Sequence, residues 1–238
     1  MRVIAPGAAF LAVMACPLPP SSRLLRQGPG SPSLNMAIDE ALLRLVTVPV
    51  LRLYRWDCPA ISIGYFDSFR DVPEGRPFVR RFTGGGLVDH ARDVTYSIIV
   101  PRDHPLNQAG PQESYCQVHR AVADALATCG WTVELAAQPA QTASNACFQK
   151  PVKFDVVQDG TKLAGAAQRR TREGCLHQGS ILLPSDPNRE ALEQELIVRL
   201  APLLADEIHP DELTAAETTK AHQLDHNRYA TEAWNCSR

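Results

Sequence analysis

Apolar residues recur along this chain with two periods. Across residues 35–46, Met36, Ile38, Ala41, Leu42 and Leu45 fall near helical spacing, with Asp39 and Glu40 placed in the first turns where carboxylates suit the helix dipole. Val118, Val122, Ala125, Leu126 and Cys129 line one face of a second helix over about residues 112–129. A third helix is expected over residues 188–204. Shorter β-branched or alternating runs predict strands at residues 24–26, 50–54, 60–64, 78–82, 94–100, 131–135, 154–157, 162–167 and 176–183. Asp159-Gly160 between two of these runs is a strong hairpin signal. After Pro210 the chain turns polar, which predicts a partial helix and a loose tail. Helices inserted among strands that mostly pair as hairpins imply an α+β fold with a mixed, largely antiparallel sheet and flanking helices.

Composition narrows the class. At 238 residues, 45% hydrophobic and with a net charge of -2, the chain can bury a real core and lacks the basic excess of a general nucleic-acid binder. One catalytic domain over residues 23–205 is expected, followed by a C-terminal helix and tail over 206–238. Residues 1–22 read as a disordered extension. Their apolar stretch, residues 3–14, is broken by Pro6 and Gly7 and fits an export signal poorly, with only Arg2 as a positive start. No run is long enough to suggest a membrane span. Seven cysteines, none in Cys-x-x-Cys spacing, argue against a disulfide framework or a structural zinc site. They suggest free thiols in a reducing compartment, hence a cytoplasmic protein.

Two segments could carry chemistry. The first is Arg80-Arg81-Phe82-Thr83-Gly84-Gly85-Gly86-Leu87-Val88-Asp89-His90. Three consecutive glycines cost backbone entropy and make sense where bare backbone meets a ligand, because their amides can bind phosphate or carbonyl oxygens. No Gly-Lys-Ser/Thr follows, so this is not a P-loop. On a strand Arg80 and Arg81 point to opposite faces, so one of them is expected at the ligand. The second segment runs from Cys147 to Ser180. A cation beside Cys147 would make its thiol a nucleophile. Lys162, in an apolar setting after the hairpin turn, can serve as base or acid, or hold a carbonyl oxygen. Taken singly, Cys147 reads more readily as inert packing and Lys162 as a solvated surface charge. His90 and His177 read as hydrogen-bonding wall residues. The other histidines read as ordinary surface or helix positions, and no Ser-His-Asp order stands out.

Together these pieces resemble the lipoate–protein ligase and octanoyltransferase family, whose fold is shared with the biotin protein ligases. The resemblance spans roughly residues 23–205 and rests on five pieces in family order. They are Asn35-Met36-Ala37-Ile38-Asp39-Glu40, Pro59-Ala60-Ile61-Ser62-Ile63-Gly64-Tyr65-Phe66, the Arg-Arg-x-Thr-Gly-Gly-Gly segment, the strand from Lys162 to Arg170, and His177-Gln178-Gly179-Ser180. It implies a pocket for a medium acyl chain, walled by Arg81, Thr83, Gly84, Gly85, Gly86, His90, Gly165, Ala166, His177 and Gly179. Lys162 matches the family's active-site lysine. Cys147-Phe148-x-x-Pro151 is similar to the cysteine segment of the transferase branch, where the cysteine carries the acyl group as a thioester. Gly165-Ala166-Ala167 stands where relatives commonly have Gly-Ser-Ala.

The resemblance therefore implies transfer of an octanoyl or lipoyl group through Cys147, with no metal and no cofactor. The donor would be acyl carrier protein or a lipoylated protein. The acceptor would be a lysine of a lipoyl domain or of a glycine-cleavage H-type protein, with no nucleic acid or membrane partner. Two alternatives remain: a lipoate–protein ligase that uses ATP and Mg²⁺, in which Cys147 is a bystander, and a non-catalytic lipoyl-binding domain.

Overall fold

The computed structural model describes residues 17–138, 151–182 and 188–238. Cys147, residues 1–16 of the expected extension and the end of the strand expected at residues 176–183 lie outside the described residues.

The chain enters through β1 (Ser21–Gly30), passes into α1 (Pro32–Leu45) and returns as β2 (Val50–Trp56). Ser31 caps α1, its hydroxyl accepting from the Leu34 amide, and Pro32 takes the first turn where its missing N–H costs nothing. This start lies earlier than residue 35. It moves Asp39 and Glu40 out of the first turn, which holds no acid, and into the buried interior. The dipole explanation for them therefore fails, and buried partners replace it.

Three short strands follow: β3 (Ile61–Ile63), β4 (Phe78–Arg80) and β5 (Val88–Asp89). Next come β6 (Asp93–Pro101), α2 (Pro105–Gln108), α3 (Gly110–Thr128) and β7 (Glu134–Leu135). Then β8 (Val156–Gln158), β9 (Thr161–Arg170), β10 (Gly174–Leu182) and α4 (Arg189–Leu200) run in succession. The chain closes with β11 (Glu207–Asp211), α5 (Ala215–Leu224), a π turn at Asp225–Tyr229 and α6 (Glu232–Asn235).

The described strands form an eight-stranded sheet ordered β11-β1-β2-β6-β10-β9-β8-β7 and a three-stranded sheet ordered β4-β3-β5. In the large sheet β1 is parallel to β2 and β11, and every other pair is antiparallel. The expected α+β class with a largely antiparallel sheet holds. The expected dominance of hairpins does not. The centre of the sheet joins β2, β6 and β10, strands far apart in sequence, and hairpins confine themselves to the β8–β9–β10 edge. The turn after β2 leads into the second sheet. Periodicity identifies a strand but not its partner. The Asp159-Gly160 turn is as expected: both residues have positive φ, 49° and 75°, between paired Gln158 and Thr161.

Helices cover both faces of the large sheet, so adjacent strand residues enter different cores. Leu24 and Ile98 pack under α3 and α4 with Val122, Leu126 and Leu196. Their neighbours Leu25 and Ile99 pack under α1 and α5 with Ile38, Leu42 and Ala221. Two-sided burial explains why Ile98, Ile99 and Val100 of β6 are apolar in succession.

The C-terminal stretch is not loose. Tyr229 is fully buried and donates to Glu40 at 2.5 Å, Arg228 pairs with Glu40 at 2.7 Å, and the Trp234 indole donates to the Arg80 carbonyl. Few apolar residues suffice there because they dock on α1, which local sequence cannot reveal. Among the described residues no helix is long and apolar enough to cross a membrane.

Candidate active site

A cleft of about 140 Å³ opens between the two sheets. The small sheet supplies Ser62, Arg81, Val88 and His90, the large sheet supplies Gly165, Ala167, Gln178 and Ser180, and Tyr54 and Trp56 also line it.

The glycine loop is held from below by Arg81. This guanidinium donates to the carbonyls of Ser62, Gly84 and Gly86 and to the Ser62 hydroxyl, at 2.7 to 3.0 Å. Burial pushes its pKa down to about 10, so it stays charged at neutral pH. Arg80 faces away and binds the carbonyls of Gly64, Asp67 and Asn235. Strand alternation thus sends one arginine to the cleft and one to the scaffold. Gly64 packs directly against the loop, where any Cβ would overlap the Gly85 carbonyl oxygen. Gly85 and Gly86 line the cleft. Among the described residues their amides have no hydrogen-bond partner, which leaves them for a ligand oxygen.

Thr83 is buried beneath the loop and donates to Gln178 at 2.7 Å, while Gln178 donates to Asp39 at 2.7 Å. Asp39, fully buried, also accepts from Arg52 at 2.8 Å and Ser97 at 2.8 Å. One buried carboxylate therefore ties α1, β2, β6 and β10 to the cleft floor. Sequence reasoning missed this hub, although Asp39 and Gln178 both stand in the quoted motifs.

His90 sits on the cleft wall, stacked on Trp56 with ring centroids 3.9 Å apart. One ring nitrogen meets Asp93 at 2.7 Å and the other meets Ser62 at 2.6 Å. Burial works against the Asp93 carboxylate, but the charge of His90 and hydrogen bonds from His90, Ser180 and Thr95 outweigh it and lower its pKa. A Ser-His-Asp arrangement thus exists in space that no sequence order announced. Ser62 has no exposed surface, and its oxygen is engaged by both Arg81 and His90. Its role is to brace Arg81.

Lys162 enters the cleft at the start of β9. Its ammonium meets the Asp155 carboxylate at 2.8 Å, with the lysine side chain 16% exposed and the aspartate side chain 0%. The pairing of β8 with β9 slips by one residue here, from Val156↔Ala164 to Val157↔Lys162. A bulge of this kind re-aims a side chain. The aliphatic end of Lys162 lies where a Cβ on Gly165 would be, so Gly165 makes room for it. Ala166 and Gly179 also line the cleft. A Cβ on Gly179 would overlap the Tyr96 ring.

His177 lies on the other face of β10, beneath α3, beside Tyr96, Tyr115 and His119. Burial first, then the charges of His119 and Arg170, hold it well below the usual histidine range. His119 is also fully buried, unlike the ordinary helix position expected, and burial pushes it down to about 4. Among the proposed site residues the structure therefore gathers Lys162, Arg81, Gly85, Gly86, His90, Gly165, Ala166 and Gly179 at one cleft. It sets Thr83 beneath the loop, leaves Gly84 out of the cleft lining and puts His177 across the sheet. Cys147 lies outside the described residues, but Val152, five positions later, lines the cleft.

Comparison with known proteins bears on the fold and the family. The octanoyltransferase LipM of Kyrpidia tusciae is 34% identical over 90% of this chain and 97% of its own. That of Moorella thermoacetica is 40% identical over 68% of this chain and 64% of its own. A T. acidophilum protein assigned to the lipoate protein ligases, solved with bound lipoic acid, superposes with a TM-score of 0.76. It covers 91% of this chain and 99% of its own at 24% identity, which establishes the shared fold. The family model for the lipoyl protein ligase A/B catalytic domain matches residues 31–199, the span that holds the small sheet, the large sheet apart from β1 and β11, and the residues that line the cleft, and this chain belongs to that family.

Proposed function

We propose that this chain is an octanoyltransferase of protein lipoylation. It takes an octanoyl group from a carrier-protein thioester onto Cys147 and passes it to a lysine of a lipoyl domain or a glycine-cleavage H-type protein. The observation that carries this reading is Lys162, tethered by Asp155 over Gly165 in an acyl-sized cleft. The relatives named octanoyltransferases give it its chemical direction.

In the first step the Cys147 thiolate attacks the octanoyl carbonyl. A carbon–sulfur bond to Cys147 forms, the one to the carrier breaks, and the carrier sulfur leaves as the thiol, taking up the proton that the Cys147 thiol gave up. In the second step the acceptor amine attacks. The amide forms, the Cys147 bond breaks, and the amine's surplus proton ends on the thiol. Exchange of one thioester for another is nearly balanced in energy, so this route needs neither ATP nor Mg²⁺. In this reading Lys162 holds the carbonyl oxygen as charge develops and relays the protons, and the amides of Gly85 and Gly86 offer a second set of donors. Apolar walls at Met36, Tyr54 and Leu163 suit the acyl chain. Thiol chemistry of this kind fits a cytoplasmic setting.

The test is mass spectrometry after mixing with octanoylated carrier protein. An octanoyl adduct mapped to Cys147, absent in Cys147→Ala, is expected. No adduct, or full transfer by Cys147→Ala, would overturn the reading. Pyrophosphate release from ATP with free lipoate and Mg²⁺, indifferent to Cys147→Ser, would establish the ligase instead.

A further inference from the structure

Behind Lys162 lies a chain of polar contacts that reaches through to the helical layer. The Tyr115 hydroxyl, on α3, donates to one Asp155 oxygen at 2.6 Å. The other Asp155 oxygen accepts from the Val152 amide at 2.7 Å and meets the Lys162 ammonium at 2.8 Å. The same Tyr115 oxygen accepts the Ala166 amide at 3.0 Å, on the β9 segment that borders Gly165. A single phenol thus grips both the carboxylate that holds the lysine and the strand over which the lysine lies.

We propose that Tyr115 and Asp155 are positioning residues for Lys162, a phenol–carboxylate–ammonium chain that fixes where the ammonium sits in the cleft. The proposal rests on the role given to Lys162 above.

Three features separate this from an incidental ion pair. Asp155 is wholly buried, so its carboxylate needs all three donors, and they come from three different segments. The residue before it, Phe154, adopts φ 72°, a left-handed conformation that non-glycine residues avoid. That turn is held by His119, whose Nδ1 meets the Phe154 carbonyl at 2.7 Å. Strain of this kind persists where surrounding contacts over-determine it, and here it directs Asp155 inward. The bulge opposite Lys162 then re-aims the lysine toward that carboxylate. Burial, with the Asp155 charge beside it, pushes the Tyr115 phenol far above its ordinary range, so it remains a hydrogen-bond donor. The charged and titratable groups facing Asp155 are Lys162, Tyr115, His119 and Tyr96.

The experiment compares full-length wild type, Tyr115→Phe, Asp155→Asn and Lys162→Ala in octanoyl transfer, with thermal unfolding alongside. Loss of a hydrogen bond to a charged group corresponds to roughly a tenfold change, so Tyr115→Phe should lower kcat by about tenfold. KM for the octanoylated carrier should stay within about twofold, since no substrate contact is removed. Asp155→Asn should approach Lys162→Ala. If Lys162→Ala is inactive while Tyr115→Phe and Asp155→Asn keep wild-type kcat, this proposal fails and the reading of Lys162 stands. A kcat loss in Tyr115→Phe that merely follows the fraction unfolded would likewise overturn it. Full activity in Lys162→Ala would overturn the reading of Lys162, and this proposal with it.

Discussion

Gly165→Ala isolates the position of Lys162 from its presence. A Cβ at this site would overlap the Lys162 side-chain end and lie 3.2 Å from Asp155 Oδ1. Ordinary carbon contacts need about 3.5–4.0 Å, so the ammonium must retreat by more than about 1 Å. The lysine end is flexible and 16% exposed, so it can swing toward solvent without disturbing the backbone. Asp155 then loses one of its donors but keeps Tyr115 and the Val152 amide. That loss should cost about 1–3 kcal/mol. Alanine in a strand recovers roughly 0.5–1 kcal/mol relative to glycine. The net change of about 1 kcal/mol lowers Tm by only about 2–4 °C for a chain of this size. Misplacement by 1 Å at a reacting centre, by contrast, can cost about a hundredfold in rate. Steady-state transfer assays and thermal unfolding of the same preparation should therefore diverge sharply. A Gly165→Ala protein with wild-type kcat would refute the placement of Lys162 over this glycine.

Other glycines and histidines give contrasting outcomes. Gly179→Ala drives a Cβ into the buried, rigid Tyr96 ring, so about 1–3 kcal/mol of stability should be lost in denaturant titration, with activity falling only as the fold does. Gly64→Ala pushes on the Gly85 carbonyl and should raise KM for the octanoyl donor, through the displaced loop, more than it lowers Tm. His119 is held down to about 4 by burial, against an ordinary histidine value of 6.5, so the unfolded chain binds a proton in that window that the folded chain does not. Stability should be fully present above about pH 6.5 and fall as pH drops toward 4, by roughly 3 kcal/mol from this residue. Urea titrations across that range should show the slope, and His119→Asn should reduce it, leaving the share that buried His177 contributes with the same sign. An unchanged slope in that variant would exclude His119 as its source.

Much of this protein is legible in the order of its residues. The helix periods, the Asp159-Gly160 hairpin, the glycine loop and the five ordered motifs identify the class and the family, because each depends on local spacing or short-range chemistry. Alternation carried one residue past the end of β4 also anticipates that Arg80 and Arg81 part. Local pattern cannot say which strands pair, and so it overstates hairpins and takes the docked C-terminal stretch for a loose one. Nor can it find Tyr115, which sits on α3, 40 residues from the Asp155 it binds, with no motif of its own.

The tertiary structure decided the site's geometry for the same reason. His177 and Gln178 are neighbours in one motif, yet the sheet's pleat sends the first under α3 and the second to the cleft floor. Regular alternation would place Lys162 on the face opposite Gly165, and a one-residue bulge brings it back. Residue types and their order determined which chemistry the chain could hold. Where each group points, and which buried partner holds it there, depended on contacts between segments far apart in sequence.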